Sequence, residues 1–141
     1  SGTVQIFNAY ATRTTINSTA FIQITGLTQT VTLTSPATVI LQTYGSLETF
    51  SGVNAGSGCI IQMFNGATAI ANAFQTIDVN DAGGFTNTIA PWSFNAYLSL
   101  PAGTYTFTVR ARKYAFDNFY AGGNTTAPNP NEGALTVMVV Y

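Results

Sequence analysis

Histidine is absent from these 141 residues, cysteine occurs once, and charged residues make up only 6% of the chain. Without histidine the commonest general base, the centre of a nucleophilic triad and the commonest metal ligand are all missing. Paired-carboxylate chemistry needs two acids across a cleft. The five acids, Glu48, Asp78, Asp81, Asp117 and Glu132, fall near expected strand ends or in loops. Cys59 has no disulfide partner and no histidine to activate it, and between Gly58 and Ile60 it reads as a buried thiol. The segment Asp78 to Gly83 looks faintly like a calcium loop, but Ala82 and Ile89 stand where ligands are required, so turn chemistry explains it. We therefore expect no enzyme, no metal and no cofactor. A net charge of −1 gives no electrostatic basis for nucleic-acid binding, and no apolar run approaches the ~20 residues of a membrane span.

Helix-forming stretches are also lacking. Threonine alone supplies about one residue in six, and β-branched and aromatic residues fit a pleated, half-buried surface. With turns as punctuation, strands are expected at Thr3 to Tyr10, Ala20 to Thr25, Gln29 to Thr34, Thr38 to Leu47, Cys59 to Phe64 and Ala67 to Val79. Trp92 to Leu100, Thr104 to Tyr114 and Gly133 to Tyr141 complete the series. Between them lie a polar connection up to Thr19, a turn at Gly26, Gly-rich loops and a long loop from Ala115 to Glu132. Asn65-Gly66 is a hairpin signal for a type I′ turn. Strands at this spacing imply a single all-β domain over residues 1–141, a jelly-roll β-sandwich of two antiparallel sheets with about 8–10 strands.

The final strand is the most informative. Leu135, Val137, Val139 and Tyr141 lie on one parity, and Thr136, Met138 and Val140 on the other. Successive side chains of a strand point to opposite faces, so this strand is apolar on both sides. It belongs inside a sheet, with a core on one face and a second dry cover on the other. A second copy of the chain is the simplest cover. Low charge removes most of the repulsion between copies.

LPAGTYTFTVRA, the long Gly/Asn/Pro loop, the hairpin MFNGATAI and the terminal GALTVMVVY together resemble the complement globular-head and tumour-necrosis-factor-like family, in its bacterial and phage branches. The resemblance covers nearly the whole chain as a pattern of strands. It implies a ten-stranded jelly roll that assembles as a homotrimer, with the sheet holding the first strand, Thr38 to Leu47, Trp92 to Leu100 and the final strand facing the axis. Gln42, Tyr44, Asn95, Tyr97, Met138 and Val140 would then meet their symmetry mates. It also implies an exterior setting: extracellular, on a cell surface or on a virion.

Two groups remain as candidate ligand contacts. Tyr114, Phe116, Phe119 and Tyr120 crowd the mouth of the long loop, where rings beside amides suit sugar stacking or a protein anchor, or else staple the loop to its sandwich. Arg110 and Arg112 point outward from one strand, followed by Lys113, and read as a solvated face with local ion pairs or as a contact for an anion or acidic glycan. The partners expected are thus copies of the chain itself and a glycan or cell-surface receptor. Two other readings stay open: a filament subunit that donates residues 1–10 to its neighbour, and a carbohydrate-binding module.

Overall fold

A computed structural model describes residues 2–49, 56–80, 88–123 and 132–141, with only the backbone of Phe116. Its ten strands are β1 (Val4–Tyr10), β2 (Thr14–Ile16), β3 (Ile22–Leu33), β4 (Ala37–Thr49), β5 (Gly56–Asn65), β6 (Thr68–Asn80), β7 (Ile89–Leu100), β8 (Gly103–Phe116), β9 (Phe119–Ala121) and β10 (Gly133–Val140). All pairings are antiparallel, and they build a two-sheet β-sandwich. The first sheet runs β1-β10-β4-β7. β7 takes one edge of β4 along almost its whole length, so β10 and β9 share the other edge, with β2 beyond β9. The second sheet runs β3-β8-β5-β6. The four strands assigned from the sequence to one sheet do share it.

Alternation decides what enters the core. From β7, Trp92 and Ala96 are buried, while Ser93, Asn95, Tyr97 and Ser99 point outward. From β10, Leu135, Val137 and Val139 are buried between β1 and β4, placing that strand inside its sheet as its composition requires. Trp92 is the largest fully buried side chain. Its Nε1–H donates to Thr43 Oγ1 at 3.0 Å, and that hydroxyl donates to the Ala134 carbonyl at 2.8 Å. One threonine thus satisfies an indole and ties β4, β7 and β10 together. Gly45 makes room for the ring, since a Cβ there would lie 2.3 Å from the indole.

Along one side the sandwich is closed by a side chain. Gln75 of β6 accepts from the Ser93 N–H at 2.9 Å and donates to the Pro91 carbonyl at 3.4 Å, so two open backbone groups of β7 are capped.

Three expectations need correction. The turn foreseen at Gly26 is a large bulge inside one continuous strand, with Gln23 and Thr28 pairing Arg110 and Thr108. Ile24 and Leu27 drop into the core there, and the Thr25 carbonyl accepts from the Thr12 N–H at 2.8 Å. The hairpin turn is centred on Gly66 and Ala67, with Asn65 pairing Thr68, and only the glycine has positive φ (59°). That is the II′ pattern with glycine first, one residue along from the I′ turn expected. Finally, the polar connection and the long loop each contain a short strand, β2 and β9, and these pair with one another.

Two outcomes follow from this core. Thr43→Val should lower unfolding stability by about 1–3 kcal/mol, because Trp92 Nε1–H is left buried without an acceptor. Thr136→Val on the outer side of β10 should change it by less than about 0.5 kcal/mol. Urea titration followed by circular dichroism measures both. Cys59 supplies the second. Its thiol is pushed up from 9.0 to about 12, first by burial and then by the Asp78 carboxylate. The unfolded chain releases that proton near 9 and the folded chain only near 12. This contribution to stability is therefore complete below pH 9 and is lost as pH rises through that interval. Cys59→Ala should flatten the alkaline decline of stability in urea titrations, and an unchanged slope would contradict this.

Candidate interaction faces

The outer side of the first sheet is organised in rows across β1, β10, β4 and β7. In order they read Val4, Val140, Thr38 and Ser99; then Ile6, Met138, Ile40 and Tyr97; then Asn8, Thr136, Gln42 and Asn95; then Tyr10, Ala134, Tyr44 and Ser93. None of these side chains is charged. Among the described residues eight large apolar or aromatic side chains are exposed, and six lie on this side: Val4, Ile6, Tyr10, Tyr44, Ile89 and Tyr97. Tyr97, at 69%, is the most exposed of them. Met138 and Val140 are half-buried. The structure therefore gathers Gln42, Tyr44, Asn95, Tyr97, Met138 and Val140 on one face. The sequence reading left out Ile40 and, although it placed the first strand in this sheet, did not name Val4, Ile6 or Tyr10 as part of the face. The third row is polar and uncharged, with Thr136 Oγ1 donating to Asn8 Oδ1 at 2.8 Å.

Charge enters this sheet only beyond the rows, at the β2–β9 end. There Glu48 is buried, and its Oε2 lies 3.9 Å from Nη2 of Arg13. The Arg13 guanidinium sits 3.5 Å from the ring centre of Tyr120, which pairs with Glu48 across β9 and β4.

The four aromatics assigned to the long loop do not form one cluster. Phe119 is fully buried in the core, because β9 makes it alternate inward while Tyr120 turns outward. As a correction, Phe119 is a staple and offers no ligand contact. Tyr120 is half-buried beneath Arg13. Tyr114 lies on the second sheet, its ring over Gly58, where a Cβ would come within 2.7 Å, and its hydroxyl donates to Asp78 Oδ1. The Phe116 side chain lies outside the described residues, as do Asn124 and Asp81 to Asn87.

The outer face of the second sheet carries the arginines. Arg110 sits 4.3 Å from the ring centre of Phe64 and Arg112 sits 5.4 Å from that of Phe21, and the two rings meet edge to face at 5.2 Å. Arg110 also donates from Nε to Thr108 Oγ1 at 3.1 Å and from Nη2 to the Gly66 carbonyl at 2.9 Å. Among the described residues no carboxylate lies within ion-pairing distance of Arg110 or Arg112. Lys113 leaves the group, donating to Asn118 Oδ1 at 2.9 Å. The sequence reading missed both phenylalanines. Phe64 was available by parity, since it opposes Cys59, Ile61 and Met63 on β5.

Beyond the arginines the same face bears a threonine ladder. Thr30 and Thr106 are bonded hydroxyl to hydroxyl at 2.8 Å, and Thr32 and Thr104 at 3.1 Å.

Compared with known proteins, the chain matches no family model, and no curated protein is similar to it in sequence. The functional reading accordingly rests on the two faces. A direct check on the aromatics is available: Phe119→Ala should cost about 3–5 kcal/mol of stability, the range for emptying a buried phenyl site. Tyr120→Ala should cost much less, and urea denaturation of the two variants side by side measures the difference.

Proposed function

We propose that this chain is a non-enzymatic exterior head domain that assembles as a homotrimer through the outer side of the β1-β10-β4-β7 sheet and turns the other sheet outward for recognition. The observation that carries the reading is the uncharged face with its exposed tyrosines, valine and isoleucines. A lone soluble domain rarely leaves such side chains together, and contiguous apolar surface of this kind marks an interaction site. Symmetry favours the chain itself as the partner. Around an axis identical residues approach one another, so a charged face would repel, whereas the amide and hydroxyl row of Asn8, Thr136, Gln42 and Asn95 both donates and accepts.

The copy number of three comes from the resemblance to the complement globular-head and tumour-necrosis-factor-like family. Strand order supports that resemblance. From β3 onward the chain crosses between sheets at β3 to β4, β4 to β5, β6 to β7, β7 to β8 and β8 to β9, and stays in one sheet at the β5–β6 hairpin and from β9 to β10. Repeated crossing of this kind is what a jelly roll would require, and it favours that reading. Placement on a bacterial surface protein or a phage fibre follows from the same likeness. β1 paired with its own β10 over seven residues favours a closed head over strand donation.

Light scattering at micromolar concentration tests the assembly. Three chain masses are expected, and Tyr97→Glu should convert the trimer to monomers, because one carboxylate per copy would be buried among like charges. In a monomeric protein the same change, at a highly exposed position, would alter stability by less than about 0.5 kcal/mol and leave the mass as it was. A wild-type monomer or an open-ended polymer would overturn the proposal.

A further inference from the structure

We infer that the paired arginines of the second sheet form a binding site for an acidic saccharide. The inference deepens the recognition half of the reading above. It is built within one chain, so it does not depend on the copy number.

Arg110 and Arg112 occupy alternate positions of β8 and stand roughly 6.6–6.8 Å apart at the backbone, facing the same way. Neither has a carboxylate within ion-pairing reach among the described residues. Two guanidinium groups side by side repel, and in a chain with four cations this juxtaposition is half of the positive charge. Each is held by a phenyl ring beneath it, Phe64 or Phe21, and Arg110 is further fixed by Thr108 and Gly66. These contacts set the position of the cations without neutralising them. Among the described residues Arg110 commits two of its five N–H groups to protein acceptors, and Arg112 commits none. What remains is a pre-oriented pair of forks suited to a planar carboxylate or to a sulfate.

The surroundings select a sugar as the carrier of that anion. Across the sheet, Gln23 pairs with Arg110, Arg110 with Gln62 and Gln62 with Phe74. With strands about 4.7–4.9 Å apart, this row spans about 14 Å across the sheet. It offers an amide, a guanidinium, a second amide and an exposed phenyl face in turn. Amides and guanidinium N–H groups complement sugar hydroxyls, and the Phe74 ring gives a pyranose an apolar face to lie on. Gln62 is already steadied, donating from Nε2 to the Ile70 carbonyl at 3.3 Å. The sequence-predicted arginines thus gain Gln23, Gln62 and Phe74 as neighbours, in place of the loop aromatics.

Isothermal titration of the full chain with tetragalacturonate, a heparin-derived tetrasaccharide and maltotetraose tests this. At least one acidic tetrasaccharide should bind, and which of the two does so tells carboxylate from sulfate. Arg112→Gln should weaken that binding at least about ten-fold, the loss of a charge-assisted contact. Gln23→Glu, which sets a carboxylate beside Arg110, should weaken it likewise with the melting temperature unchanged. Absence of binding by both acids, equal binding of maltotetraose, or binding indifferent to Arg112→Gln would overturn the proposal. Equal binding of a polyglutamate peptide would overturn it in favour of an acidic protein partner. Trimer mass measured on the same samples separates this result from the assembly proposal.

Discussion

A strand that is apolar on both sides requires two dry faces, and a two-layer sandwich supplies only one of them. β10 is that strand here. Its inner side, Leu135, Val137 and Val139, is buried against the second sheet, while Met138 and Val140 are only half covered within one chain. The neighbours that pairing gives β10 extend the same chemistry sideways, with Ile6 and Val4 on β1, Ile40 on β4 and Tyr97 on β7. Much else in the molecule is consistent with this constraint. Charge is excluded from the face, solubility is carried by threonines and amides, and the cations stand on the opposite sheet or at the β2–β9 end.

Scarce charge is used locally, and usually with an aromatic partner. Arg13 lies over Tyr120, Arg110 over Phe64 and Arg112 over Phe21. Such stacking contributes about 0.5–1 kcal/mol at exposed sites and leaves guanidinium N–H groups available. A carboxylate in the same place would satisfy the arginine and close it to ligands. At Arg13, where Glu48 is adjacent, the cation ties β2, β9 and β4 together. At Arg110 and Arg112 no acid intervenes among the described residues, so the two sheets use the same residue type differently.

Strands with clean alternation could be read from the residues alone. β7, β8 and β10 have the parity their compositions demand, down to Trp92 facing inward and Tyr97 outward. Short strands inside polar segments could not. Thr14–Ile16 and Phe119–Ala121 have too few residues for a period to show, and each exists because the other is there to pair with. That long-range pairing is also what turned Phe119 from a candidate contact into a core residue. Gly26 misled for a related reason. Glycine commonly marks a turn, but at φ 92° it marks a bulge that lets Leu27 reach the core while the chain passes within van der Waals range of the Tyr10 carbonyl. The outward face of the arginines was readable from parity, whereas the rings beneath them come from other strands and needed the register.

Hydroxyl-radical footprinting at micromolar concentration tests the central claim most directly, because it reports which faces of the native protein meet water. If the first sheet is an interface between copies, Tyr10, Tyr44 and Tyr97 will be protected while Phe74 and Tyr114 on the second sheet are oxidised. Oxidation of Tyr97 at the rate expected for a side chain 69% exposed would contradict the account.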